Sequence, residues 1–122
     1  MRGGERGERG AVTAETAMAM PLLAAVTVGL VWVIAVAGAQ VRTVDAAREA
    51  ARHVARGEPQ AQAEALARRA APPGAAVRIS VTEGRVSVQV EARIRPVGGV
   101  FSRAGTVVSS TAVAALEPEA VP

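Results

Sequence analysis

The spacing of apolar positions changes along this 122-residue chain, and each change marks an element. From Thr16 through Ala39 run twenty-four residues with no charged side chain. At ~1.5 Å per helical residue that run extends about 36 Å, enough to cross a hydrocarbon core of ~30 Å with some tilt. From Gln40 to about Arg56 the pattern turns amphipathic. Val41, Val44, Ala47, Ala51 and Val54 recur at three- and four-residue steps, while Arg42, Asp45, Arg48, Glu49 and Arg52 take the other side. Gly57-Glu58-Pro59 stops this helix, and Pro59 suits the first turn of a second one from about Gln60 to Ala71, with Ala63, Leu66 and Ala70 as its apolar stripe.

After the breaker Pro72-Pro73-Gly74 the period becomes two. Val77, Ile79 and Val81 alternate with polar residues; beyond Glu83-Gly84 the alternation resumes with Val86, Val88, Val90, Ala92 and Ile94. That pattern predicts a β-hairpin with one apolar face. Pro96 to Gly99 reads as a loop, and Thr106 to Leu116 as a third strand in which Val107 and Val108 break the alternation. A three-stranded antiparallel meander needs a cover for its apolar face, which only the helical segments can supply. The expected fold is α+β, divided into a leader (1–10), a transmembrane helix (11–40), an amphipathic segment with a second short helix (41–71), a small antiparallel sheet (72–116) and a disordered tail (117–122).

Several residues carry local expectations. The leader sets Arg2, Arg6 and Arg9 against Glu5 and Glu8, and its glycines discourage helix. Pro21 removes a backbone donor and crowds the preceding turn, which predicts a kink near Ala17 to Pro21. Gly29 and Gly38 offer small faces for helix packing in lipid, and Trp32 lies too deep in the run for an interfacial anchor. The pairs Arg42–Asp45, Asp45–Arg48 and Glu49–Arg52 are three apart and can each contribute a few tenths of a kcal/mol. His53, the only histidine, reads as a surface residue of that helix.

Composition narrows the chemistry. A domain of about eighty residues beyond the apolar run supports a marginal core. All fourteen basic residues are Arg, and the net charge of +3 is spread along the chain, so no nucleic-acid patch is expected. Cysteine is absent, which removes disulfides and thiolate metal sites. One His, no Cys and no Tyr provide no paired base and nucleophile, and Ser109-Ser110-Thr111 has no activating neighbour in sequence. No enzyme activity, cofactor or metal is expected.

Gly10-Ala-Val-Thr-Ala-Glu15, set just ahead of the apolar run, resembles the processing signal of type IV pilin precursors. Asp45-Ala-Ala-Arg-Glu-Ala-Ala-Arg52 resembles the block that follows the apolar helix in TadE-like pseudopilins of tight-adherence pili. Together the resemblance covers roughly Arg9 to Arg56; Thr16 after the Glu, and a run rich in Ala and Val, depart from the family's bulkier pattern. The resemblance implies that a prepilin peptidase cuts between Gly10 and Ala11, and that Glu15 pairs with the Ala11 amine of a neighbouring subunit during assembly. It further implies a single-pass membrane protein with its C-terminal domain outside the cytoplasm, whose partners are other pilin or pseudopilin subunits, inner-membrane assembly proteins and membrane lipid.

Two other readings stay open on the residues alone. Ala37-Gly38-Ala39 fits the small-residue site of a signal peptidase, so cleavage after Ala39 would release a secreted protein. Against it, the apolar run exceeds the usual ~7–15 residues. Alternatively the run is a plain anchor for an extracytoplasmic adhesive or regulatory head. Charge does not decide orientation, because arginines flank both ends of the run.

Overall fold

A computed structural model describes residues 3–96 and 105–118. The elements are α1 (Gly3–Ala55), α2 (Gln60–Ala70), β1 (Ala76–Thr82), β2 (Arg85–Ile94) and β3 (Thr106–Ala115). The chain divides into two compact bodies, residues 1–34 and 35–122. The expected α+β composition holds, with a long apolar N-terminal helix, a short second helix and three antiparallel strands in the order β1-β2-β3.

The first body is helical from Gly3, so the glycines of the leader do not prevent helix there. Each Gly costs about 1 kcal/mol relative to Ala, but extending an existing helix carries no nucleation penalty, and Glu5, Arg6, Glu8 and Arg9 are good helix formers. The helix runs unbroken through Pro21, which leaves the carbonyl of Ala17 without its ordinary donor. Met18, Leu22, Leu23, Val28, Leu30 and Ile34 are all exposed, Met18 to 81% and Ile34 to 70%. The helix is long and apolar enough to cross a membrane. Thr13, Thr16 and Thr27 turn their hydroxyls onto the carbonyls of Arg9, Val12 and Leu23, at 2.9, 2.9 and 2.8 Å. Each of these three hydroxyls is thereby paired within the helix.

In the second body, α1 from Ala35 onward packs with α2 over one face of the sheet. Ala46, Ala47, Ala50, Ala51 and Val54 of α1, with Ala63 and Ala67 of α2, meet Val77 of β1 and Val86, Val88 and Val90 of β2. A second small cluster joins Ala39 to Ala92 and Val108. Of the expected inward face of α1, Ala47, Ala51 and Val54 are buried and Val44 is half-buried, but Val41 is not. Val41 is 59% exposed, while Thr43 is fully buried and donates to the carbonyl of Ala39 at 2.8 Å. A helix advances about 100° per residue, so a face centred on Thr43, Ala46, Ala47, Ala50 and Val54 puts Val41 on the opposite side. In α2 the buried pair is Ala63 and Ala67, four apart, and Leu66 and Ala70 are exposed. Apart from Val54, the inward positions of the two helices are taken by Ala and Thr.

The strands follow the alternating pattern. β1 and β2 pair with Val77 opposite Val90, Ile79 opposite Val88 and Val81 opposite Val86. Their two-residue connection has φ of 51° at Glu83 and 73° at Gly84, the paired positive values of a type I′ hairpin turn. In β3, Val108 is buried and Val107 faces out, which resolves the double valine. Past its end, the Leu116 amide donates to Gly84 at 2.8 Å and the Glu117 amide to Ala55 of α1 at 3.1 Å. Of the expected loop from Pro96 to Gly99, all but Pro96 lies outside the described residues, as do Phe101 and the tail from Glu119 onward.

Candidate functional site

In the first body, Gly10, Ala11 and Glu15 share the exposed N-terminal part of α1. A Cβ built on Gly10 meets nothing within 4 Å, so packing does not demand glycine at that position. Hydrolysis of the Gly10–Ala11 peptide requires an extended backbone, and here that peptide is helical. Gly4, Gly7 and Gly10 weaken this segment and make local unwinding cheaper. Glu15 stands four residues past Ala11 on the same helix face, and among the described residues it has no salt-bridge partner. The hydroxyls nearest in sequence, Thr13 and Thr16, are committed to the backbone and not to Glu15.

In the second body, Asp45, Arg48, Glu49 and Arg52 are all exposed on α1. None of the three expected charge pairs forms among the described residues. Arg42 instead reaches the open end of α2, its Nε donating to the Ala70 carbonyl at 3.4 Å and its Nη2 to the Ala71 carbonyl at 3.3 Å. Those carbonyls belong to the terminal turn of α2, where a cation also suits the helix dipole. Glu49 turns to His53, with its Oε1 3.0 Å from Nε2.

His53 is not a plain surface residue. Its ring is 17% exposed and is held on both sides, by Glu49 at Nε2 and by Glu58 at Nδ1, the latter at 2.5 Å. Two carboxylates on two ring nitrogens require both to carry hydrogen, the imidazolium form. The hydrogen bond that His53 donates to the Glu58 carboxylate accordingly raises the His53 pKa above 6.5 despite some desolvation, and the same bond lowers that of Glu58. Arg56 Nη2 stands 3.2 Å from Glu58 Oε1 and opposes the rise at His53.

The backbone explains why these residues meet. Gly57, at φ 86°, ends α1 in a Schellman motif: the Glu58 amide donates to the His53 carbonyl at 3.1 Å and the Gly57 amide to the Val54 carbonyl at 2.9 Å. This motif brings the residue after the glycine beside the third-last helical residue, a contact that is usually apolar. Here it is an ion pair. The sequence carries a signal for this contact in the spacing of His53 and Glu58 about Gly57, but helical periodicity does not reach across the glycine that ends α1.

Comparison with known proteins matches residues 10–52 to the family model described as TadE-like protein. The matched segment starts at Gly10 and ends at Arg52, so it contains both expected motifs and the apolar run between them. Searches of curated proteins and of solved structures found no match.

Proposed function

We propose that this chain, TadE-like over residues 10–52, is a minor pilin or pseudopilin of a Tad-type pilus or a related secretion machine. It is a structural subunit without catalytic chemistry. The observation that carries the reading is the family match that begins at Gly10 and runs the length of an exposed apolar helix. In this reading α1 is anchored in the inner membrane, residues 41–122 lie outside the cytoplasm, and a prepilin peptidase removes residues 1–10. Cleavage leaves an α-amino group on Ala11, largely cationic near neutral pH with a reference pKa of about 7.7–8.0. Glu15 of one subunit then meets the Ala11 amine of its neighbour, removing two charges that lipid penalises. Pilin subunits, inner-membrane assembly proteins and lipid are the partners.

Release as a secreted protein by cutting after Ala39 fits less well. Ala39 is 8% exposed and packs with Ala92 and Val108, so that cut would strip a buried residue from the folded second body.

N-terminal sequencing of the mature protein tests the proposal, the expected first residue being Ala11. Gly10→Leu should leave full-length precursor in the membrane. A Cβ at Gly10 meets nothing within 4 Å, so packing does not oppose the substitution, and normal-sized mature protein from this variant would remove the reading. Glu15→Gln should be made, inserted and cut, yet fail to co-purify with the assembly machinery. Unimpaired incorporation would reduce Glu15 to a helix-terminal acid.

A further inference from the structure

The outward face of α1 beyond residue 40 carries charges of which the fold itself uses only part of Glu49. At about 100° per residue, Val41, Asp45, Arg48, Glu49 and Arg52 all fall within about 60° of the direction opposite buried Thr43. All five are exposed. Asp45, Arg48 and Arg52 have no ion pair among the described residues, although each has an opposite charge three residues away. Glu49 gives one oxygen to His53, which leaves the other open. Together with Ala70 of α2 these four charged residues line a shallow depression of about 360 Å³.

Read along the axis, the signs alternate: acid at 45, base at 48, acid at 49, base at 52. We infer that this ladder is an interface for a second copy of the same chain, lying parallel and displaced along the helix axis by about one turn. The inference rests on the membrane-anchored reading above, because two copies inserted the same way into one bilayer must run parallel. With no displacement every charge faces its own kind. A shift of three residues, about 4.5 Å, brings Arg48 level with Asp45 of the neighbouring copy and Arg52 level with its Glu49. Opposite charges across an interface fix register and exclude wrong partners more than they supply affinity, which suits a subunit whose span provides the attachment. Val41 stands at the membrane end of the ladder, exposed and apolar, where two copies approach.

The chain has no cysteine, so Val41→Cys gives a single reporter on this face. Full-length reporter chains in membranes are treated with a short bis-maleimide, and the fraction of cross-linked dimer is read. With native charges dimer should form. The all-acid face (Arg48→Glu with Arg52→Glu) and the all-basic face (Asp45→Arg with Glu49→Arg, Glu58 still holding His53) should each lose at least about tenfold through like-charge repulsion. Co-expression of the two should return dimer to within about twofold of native, which also shows that both variants are folded. An all-acid chain that cross-links as well as the native one overturns the inference, and so does a mixture no better than either variant alone. The N-terminus is sequenced in the same samples. A native Ala11 start with charge-independent cross-linking overturns the ladder alone. An uncut chain with the full swap-and-rescue pattern overturns the pilin reading and leaves the ladder standing.

Discussion

The two bodies of this chain use apolar residues in opposite ways. In residues 3–34 the large side chains, among them Met18, Leu22, Leu23, Leu30 and Ile34, are exposed along a lone helix. In residues 35–118 the fully buried side chains are small, and none of them exceeds Val in size. Hydrophobic content alone would have assigned the leucines to the core and the alanines to filler. Large exposed aliphatic chains are compatible with a helix that crosses a membrane, whereas the α+β body is closed by alanines and valines packed against a valine sheet face.

Moving the boundary between the bodies should have the largest effect. Residues 57–122 lack Ala46, Ala47, Ala50, Ala51 and Val54, which form the α1 side of the core. That fragment should show no cooperative thermal transition, whereas residues 35–122 should unfold in a single sharp one. A cooperative transition for the shorter fragment would mean that α1 is not part of the core.

Size substitutions come next. Ala50 has no exposed surface, so Ala50→Leu overpacks the helix–sheet contact and should destabilise residues 35–122 by about 1–3 kcal/mol. A Tm drop of several degrees is the readout. Leu23→Ala, in the other body at 62% exposure, should leave the Tm of the second body of the full-length protein unchanged. Equal effects from the two substitutions would erase the distinction between the regions.

The smallest effect is a pH dependence confined to the second body. The His53 pKa is raised, so its contribution is full below 6.5 and is lost as pH climbs through the higher folded value. Glu58 has a lowered pKa, so its contribution is full above 4.5 and is lost as pH falls through the lower folded value. The Tm of residues 35–122 should therefore be highest between about pH 4.5 and 6.5 and decline on the alkaline side. His53→Gln should flatten the alkaline decline. An unchanged decline in that variant would show that another group is responsible.

Local features are legible in the residues alone: the length of the apolar run, the order of elements, the hairpin at Glu83-Gly84 and the segment from Gly10 to Arg52 that matches the TadE-like family model. Periodicity and turn chemistry act over a few residues, so they can be read without a fold. What the tertiary structure decided was the phase of each helix and the partners of its charges. Periodicity marks Val41 and Leu66 as inward, yet the core takes Thr43 and Ala67, because the face that carries Ala46, Ala47, Ala50 and Val54 lies about 160° from Val41, and Ala67 shares a face with Ala63 one turn away. Arg42 reached across to the end of α2 instead of pairing along its own helix, since two open carbonyls there lacked donors. Glu58 found His53 only once Gly57 had turned the chain back upon the helix it ends.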